Sequence, residues 1–219
     1  MYLNIQELRD FYSITKVGRK FNSDILGVIG DFLAKKNSKE AVIFGYVNNL
    51  SKTEGTNITS CMFSDKTNKN GGYSVGNGII DKHFIELENK FYDSVIVVNS
   101  LEFADSVDSF FSGVFSKMKD DGHALIIAMS YKSLFNKPPF NRCHTFSRRA
   151  IEHYLSEHGM EIDDFYYTCY PHFKNRLFDR FLGYFLKFYG AFMVLECHKN
   201  CPAKVTEKVK DLKLEYDKV

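Results

Sequence analysis

The sequence has no tryptophan and only four prolines, and its five cysteines include no Cys-x-x-Cys pair. An odd, scattered set of cysteines signals neither a zinc site nor a disulfide framework, so no metal is expected. Reduced thiols in a cytoplasmic protein are the simplest interpretation. The N-terminus lacks a signal-peptide-type apolar run, and the most apolar late stretch, 181–197, is too short and too charged to span a bilayer.

The sequence also lacks a strong charge of either sign, since its formal net charge is +2. So small a net charge produces no broad electrostatic field that would attract nucleic acid or an anionic membrane. Aromatic residues are abundant at 16%, and the 219 residues suffice for one well-buried core but not for two comfortable domains. We therefore expect a single domain over 1–200 with an N-terminal helical segment at about 2–36, followed by a charged tail at 201–219.

Hydrophobic periodicity predicts strands alternating with helices. The clearest strand is the DSVIVVN segment, whose continuous β-branched run is typical of a strand covered on both faces. The glycine-rich segment 67–78 predicts a loop. Gly122 predicts a turn that closes a helix, and Ser147 and Gly159 predict the two ends of another helix. Predicted strands lie at 40–45, 57–63, 78–81, 93–99, 123–129, 160–167 and 191–198. Predicted helices lie at 2–16, 16–36, 107–118, 148–158 and 174–189.

Such alternation implies an α/β fold with a mostly parallel sheet and helices on both faces. Ligands of these sheets bind at the carboxyl ends of the strands, near the point where strand order reverses. The sequence therefore predicts one cleft rimmed by 45–49, Asp81, 99–102 and 129–132.

Several short motifs occur in a fixed order along the chain. Leu-Arg-Asp-Phe-Tyr at 8–12 precedes Val-Gly-Arg at 17–19 and Phe-Gly-Tyr at 44–46. Asn-Ser-Leu-Glu at 99–102 follows the DSVIVV strand, and further motifs stand at 119–122, 139–140 and 146–148. This order, from about residue 7 to 200, resembles class I S-adenosylmethionine (SAM)-dependent methyltransferases of the type 11 group, and more narrowly a set of small methyltransferases from alphaproteobacteria.

The resemblance implies a Rossmann-like sheet of seven strands and SAM as the cofactor. It implies that Gly45 brings backbone close to the methionine part of SAM and that Asp81 accepts a hydrogen bond from the adenine amino group. It places 99–102 beneath the sulfonium and Phe11 and Tyr12 over the cofactor. The cofactor-binding residues expected from it are Tyr12, Gly45, Tyr46, Asp81, Lys82, Asn99 and Ser100.

The chain departs from the resembled group at two cofactor contacts. Ile43 stands where the Gly-x-Gly loop has its first glycine, and Met62 and Phe63 stand near the usual place of a ribose-binding acid, with Asp65 as a candidate substitute. A degenerate, non-catalytic protein with a regulatory or scaffold role is therefore the alternative hypothesis. Gly45 alone is equally explained as a strand-ending turn, and Asp81 as a turn cap.

The sequence identifies neither the methyl acceptor, which is a small molecule or a macromolecule, nor a catalytic residue. If the acceptor must lose a proton, the nearest candidates for a base are His83, Tyr131 and His144. Cys143 and His144 are adjacent and have no evident partner acid, so we do not predict a nucleophilic dyad. The aromatic residues of 174–189 mainly predict core packing, with lipid contact as a further alternative. Glu102 precedes a helix, and its simplest role is to pair with that helix N-terminus.

Overall fold

The structure is a computed structural model that describes residues 5–47, 55–61, 73–75, 78–80, 85–86, 90–104, 106–133, 140, 144–170 and 190–200. Its helices are α1 Ile5–Ile14, α2 Lys16–Lys35, α3 Val107–Phe115 and α4 Arg148–Glu157, with a short 3-10 helix at Leu101–Phe103. Its strands are β1 Glu40–Gly45, β2 Asn57–Cys61, β3 Tyr73–Val75, β4 Gly78–Ile80, β5 Ile85–Glu86, β6 Tyr92–Val98, β7 Met118–Met129, β8 Met160–Thr168 and β9 Phe192–Lys199. The predicted helix at 174–189 and the tail at 201–219 lie outside the described residues.

The main sheet has six strands in the order β2-β1-β6-β7-β9-β8. The pairs from β2 to β7 are parallel, whereas β9 runs antiparallel to both of its neighbours. The prediction of a mostly parallel α/β sheet is confirmed. Short β3, β4 and β5 form a separate three-stranded antiparallel sheet.

The predicted count of seven strands is wrong for the main sheet, which has six among the described residues. The expected third strand, β4, pairs antiparallel with β3 and β5 instead of extending the parallel sheet. Residues 76–77 are all that separate β3 from β4, and so short a connection permits only an antiparallel hairpin. The structure also assigns Tyr73–Val75 to a strand within the segment predicted as a loop.

Helices cover both faces of the sheet, as predicted. Alternate residues of β1 and β6 point to opposite sides, which is the period-two geometry of a strand. One core joins strand residues to α3 and α4: Val42, Phe44, Val95, Val97, Phe111 and Ile151. The other joins strand residues to α1 and α2: Ala41, Ile43, Ile96, Val98, Tyr12 and Phe32. The fully buried central strands explain the continuous apolar runs of the sequence.

The predicted ends of α4 are confirmed. The Ser147 hydroxyl accepts a hydrogen bond from the Ala150 amide at 3.2 Å, and Gly159 has a φ of +68° just beyond the helix. The predicted glycine turn at Gly122 is wrong, because Gly122 lies inside β7. The preceding helix ends at Phe115, and β7 already pairs with β6 through Met118 before a bulge shifts the register.

Within the described ranges, no helix is long and apolar enough to cross a membrane.

Candidate functional site

Strands β1 and β6 lie side by side at the point where the chain order reverses. From β1 the chain continues to β2 on one side, and from β6 it continues to β7 on the other. Connections that diverge in this way leave a crevice at the carboxyl ends of the two strands. Gly45 pairs with Val98, so β1 and β6 end at the same level. Residues 45–47 and 99–102 therefore lie at the same edge of the sheet, at the ends of β1 and β6; that they line a ligand cleft stays a prediction.

Gly45 adopts a conformation that only glycine tolerates well, with a φ of +119°. A Cβ atom built there would lie 1.7 Å from the Val98 carbonyl oxygen and 2.4 Å from the Ser100 hydroxyl oxygen. The close approach of β1 to the end of β6 is therefore enough to explain why this position requires glycine. Contact of Gly45 with a cofactor stays a prediction.

Ile43 continues β1 as an ordinary core strand residue. It pairs with Ser60 on one side and Ile96 on the other, and its side chain is buried in the core beneath α1 and α2. The residue that departs from the Gly-x-Gly pattern therefore contributes to packing between the sheet and these helices.

Asn99 is the first residue after β6 and has a left-handed backbone, with a φ of +50°. Its side chain is fully buried. The side-chain amide donates hydrogen bonds to the Tyr12 hydroxyl at 2.8 Å and to the Tyr46 carbonyl oxygen at 3.4 Å. Its Oδ1 atom has no hydrogen-bond partner. A left-handed residue other than glycine and an unpartnered buried acceptor are both features that concentrate at functional sites.

Ser100 uses its side chain within the protein. Its hydroxyl donates to the Phe44 carbonyl oxygen at 2.8 Å and also lies 3.1 Å from the Val98 carbonyl oxygen. These contacts join the end of β6 to the end of β1. Binding of a ligand by Ser100 stays a prediction.

Aromatic rings cover Asn99. Tyr12 and Tyr46 are stacked with centroids 5.8 Å apart, and Phe11 and Phe140 meet Tyr12 edge to face. Burial raises the pKa of the Tyr12 hydroxyl well above its ordinary value, so this group is neutral at physiological pH. Because Asn99 has no exposed surface, a ligand that bonds to Oδ1 must displace one of the covering groups.

Glu102 is a second buried acceptor at this end of β6. One carboxyl oxygen, Oε1, accepts a 2.5 Å hydrogen bond from the Met129 amide at the end of β7. The Glu102 carbonyl oxygen accepts another from the His144 amide at 3.1 Å. The other carboxyl oxygen, Oε2, has no partner, and burial raises the pKa of Glu102 to about 7. The simple pairing with a helix N-terminus expected from the sequence is replaced by a contact with β7.

The sequence placed Glu102 only along the cleft and missed its unusual state. An acid four residues beyond the apolar Val-Ile-Val-Val end of β6 is the available signal, because the strand end is itself buried. Burial of the carboxyl group depends on β7 and on the segment before α4, which are distant in the sequence.

The structure does not place the remaining predicted site residues at the ends of β1 and β6. Asp81, Lys82, His83 and Cys143 lie outside the described residues. Tyr131 is exposed, as is the His144 side chain, so neither shares the burial of Asn99. Across the described part of the chain, no three His, Cys, Asp or Glu side chains are grouped so that they could hold a metal ion.

The architecture is that of SAM-dependent methyltransferases of known structure. It is similar to a SAM-dependent methyltransferase from Aquifex aeolicus, with a TM-score of 0.58 and 12% identity over 90% of this chain and 99% of that one. It is also similar to magnesium protoporphyrin IX methyltransferase from Synechocystis with bound SAM, with a TM-score of 0.56 and 12% identity over 89% of this chain and 90% of that one.

A third similar structure is a SAM-dependent methyltransferase from Thermotoga maritima, described as a possible histamine N-methyltransferase. Its TM-score is 0.54, with 12% identity over 90% of this chain and 96% of that one. No protein-family model and no curated protein sequence matches the chain. The comparisons therefore establish a shared fold.

Proposed function

We propose that this protein transfers a methyl group from SAM to an acceptor. The observation that carries the proposal is the crevice between β1 and β6, where the buried Asn99 side chain presents an unpartnered acceptor oxygen. Similar structures that bind SAM or catalyse its reactions support the same assignment. A fold alone does not define an activity, so the residues at the crevice carry the argument.

The described residues fit the amino-acid half of SAM. Three buried side-chain atoms in the described part of the chain lack a hydrogen-bond partner, and two of them, Asn99 Oδ1 and Glu102 Oε2, stand at the end of β6. Both are acceptors, and buried acceptors require N–H or O–H donors or a cation. The ammonium group of SAM would supply such donors to Asn99 Oδ1, and its sulfonium group is a cation that would stand beside Glu102. For the adenine half we propose Asp81 and Lys82, as the sequence predicts.

SAM, when bound, supplies a methyl group already activated by a sulfonium charge, so the protein needs to align the acceptor and exclude water. Tyr12 and Tyr46 would provide the water-excluding cover, because their rings are stacked, both residues bond to the Asn99 amide, and Asn99 is buried. Asn99 would accept a hydrogen bond from the ammonium group through Oδ1. Gly45 would keep the ends of β1 and β6 close enough for these groups to converge.

We also place the reaction in the cytoplasm. Among the described cysteines, Cys61, Cys169 and Cys197 carry free, buried thiols, which suits a reducing compartment.

Isothermal titration with SAM and with S-adenosylhomocysteine tests the proposal. We expect saturable binding of both ligands and little heat from methionine or adenosine added alone, because each fragment fills only half of the site. Protein concentrations must be high enough to detect dissociation constants of about 10⁻⁴ M. Absence of heat together with absence of a thermal shift for both ligands would overturn the proposal in favour of a non-catalytic, regulatory or scaffold role.

Detection of turnover requires an acceptor, and the acceptor is the part of the function that the described residues do not define. Release of S-adenosylhomocysteine in the presence of panels of hydroxyl, amine, thiol and carboxylate compounds would identify its class. Reactions without protein serve as the negative control for each panel, and Asn99→Gly, in which we expect weakened SAM binding, should turn over more slowly at low SAM concentration.

A further inference from the structure

Glu102 differs from the other acidic side chains of the described structure in being almost completely buried without an ion-pair partner. Its exposed fraction is 1%, and its carboxyl group receives hydrogen bonds from two main-chain amides, that of Met129 and that of Glu102 itself. Glu196 is also buried, but the Lys35 ammonium group lies 2.7 Å from its carboxylate. The unpartnered Oε2 of Glu102 therefore marks a place where a positive charge is missing.

Within the described part of the chain, the groups around Glu102 do not supply that charge. The titratable groups on the neighbouring elements are Tyr12 of α1, Tyr46 after β1, and His144 before α4, whose main-chain amide reaches the Glu102 carbonyl oxygen. Tyr12 is neutral, and Met129 offers only its amide. Burial is the largest cause of the raised pKa of Glu102, and no described Lys or Arg contributes to it. An ionised Glu102 is thus poorly stabilised until a cation arrives.

This inference rests on the proposed function. We propose that Glu102 makes the site select SAM over S-adenosylhomocysteine, because its buried carboxylate is stabilised by the sulfonium charge that only SAM carries. Both ligands have an ammonium and a carboxylate group, so SAM has a net positive charge and S-adenosylhomocysteine is neutral. Methyl transfer removes the sulfonium charge and with it the attraction to Glu102. The residue therefore determines specificity between cofactor and product and helps the product to leave.

Proton release is the direct signature of this arrangement. At neutral pH the carboxyl group of Glu102 is partly protonated, because its pKa is about 7. Binding of a cation beside it favours the carboxylate and releases the remaining proton. The sulfonium charge lowers the pKa of the ammonium group in SAM relative to S-adenosylhomocysteine, so the two free ligands also differ in how they exchange protons. That ligand contribution is the same in Glu102→Gln, and the change in the difference between the unmodified protein and Glu102→Gln therefore isolates Glu102.

The test is calorimetric titration of both ligands in phosphate and in Tris at about pH 6, 7 and 8, since the dependence of the heat on buffer ionisation enthalpy counts released protons. For the unmodified protein we expect SAM to release up to about half a proton more than S-adenosylhomocysteine near pH 7. The difference should shrink at about pH 8, where Glu102 is already ionised.

Glu102→Gln supplies the second measurement, because the glutamine side-chain oxygen can still accept the Met129 amide. We expect Glu102→Gln to weaken SAM binding roughly tenfold, to leave S-adenosylhomocysteine binding within about twofold, and to remove the proton that Glu102 releases when SAM binds. Glu161→Gln is the matched control: Glu161 is exposed near the start of β8, and its replacement should change neither ligand.

The same difference in proton release between the two ligands in the unmodified protein and in Glu102→Gln would overturn the inference while leaving the proposed function intact. Equal weakening of both ligands by Glu102→Gln would also overturn it, because that pattern indicates a purely structural role. If the unmodified protein binds neither ligand, the proposed function fails and this inference fails with it.

Discussion

The Asn99 side-chain amide donates a 2.8 Å hydrogen bond to the Tyr12 hydroxyl, across 87 positions of the sequence. Both side chains are buried, so the bond joins α1 to the end of β6 away from solvent. Tyr12 in turn stacks on Tyr46, which follows β1. One tyrosine thus connects the N-terminal helix with both strands that border the candidate site.

Tyr12→Phe removes the hydroxyl but keeps the stacked ring. We expect the free energy of unfolding to fall by about 1 to 2 kcal/mol, because the buried Asn99 amide keeps only its long contact with the Tyr46 carbonyl. Chemical denaturation measures the change. Tyr131→Phe is the control, since Tyr131 is exposed and its replacement should change stability by less than about 0.5 kcal/mol. Equal effects of the two substitutions would contradict the prediction.

Asn99→Gly tests whether the Asn99 side chain binds the cofactor. Glycine tolerates the left-handed backbone, so the substitution removes the amide without adding strain. We expect SAM affinity to fall roughly tenfold, through loss of a hydrogen bond to a charged group. Asn37→Gly is a matched control because Asn37 also has a left-handed backbone, with a φ of +48°, but lies exposed after α2. Unchanged affinity in Asn99→Gly, measured by titration calorimetry, would exclude this contact.

Gly45→Ala tests the close approach of β1 and β6. The added methyl group would lie 1.7 Å from the Val98 carbonyl oxygen on a backbone with a φ of +119°, so the two strands must separate. We expect a loss of about 3 kcal/mol or more in the free energy of unfolding. Gly27→Ala in α2 meets nothing within 4 Å and should instead stabilise the protein by about 0.5 to 1 kcal/mol. Similar thermal midpoints for the two variants would show that the strand ends tolerate a side chain.

Glu102 should make stability depend on pH. Burial raises its pKa from 4.5 to about 7, so the folded state holds the proton more tightly than the unfolded state. Its contribution to stability is therefore full below about pH 4.5 and is lost as pH rises to about 7. Glu102→Gln does not titrate. As the pH rises from about 4.5 to 7, the free energy of unfolding of Glu102→Gln should therefore increase by up to about 3 kcal/mol relative to that of the unmodified protein.

The comparison requires denaturation curves of both proteins at several pH values between about 4.5 and 8. Other titrating groups, such as Asp93 and His123, are common to both proteins and cancel in the difference. A difference that is constant with pH would show that Glu102 ionises normally in the folded state.

Much of the fold could be predicted from local pattern. The continuous run of β-branched residues predicts a strand at β6. Apolar residues at a spacing of about 3.6 residues predict a helix at α2. Ser147 and Gly159 mark the ends of α4 by hydrogen bonding and backbone conformation that involve only near neighbours. The alternation of these elements then predicts a sheet covered on both faces.

Prediction failed where pairing decided the outcome. Gly122 follows a helical pattern and two aspartates, which locally indicate a turn, yet pairing with β6 extends β7 through it. The expected third strand of the large sheet, β4, forms a separate sheet because its nearest partner is a hairpin neighbour. Neither the inclusion of Gly122 in β7 nor the separate sheet of β4 can be predicted from the residues of those segments alone.

Local patterns were enough to predict the order of the elements and to single out Gly45 and Asn99 at the ends of β1 and β6. These predictions follow from periodicity and backbone preference, which act within a few residues. Long-range packing is what brings Asn99 to Tyr12 and buries Glu102 against Met129 with one oxygen unpartnered. The charge state of a carboxyl group depends on what surrounds it, and those surroundings come from parts of the chain that folding alone brings together.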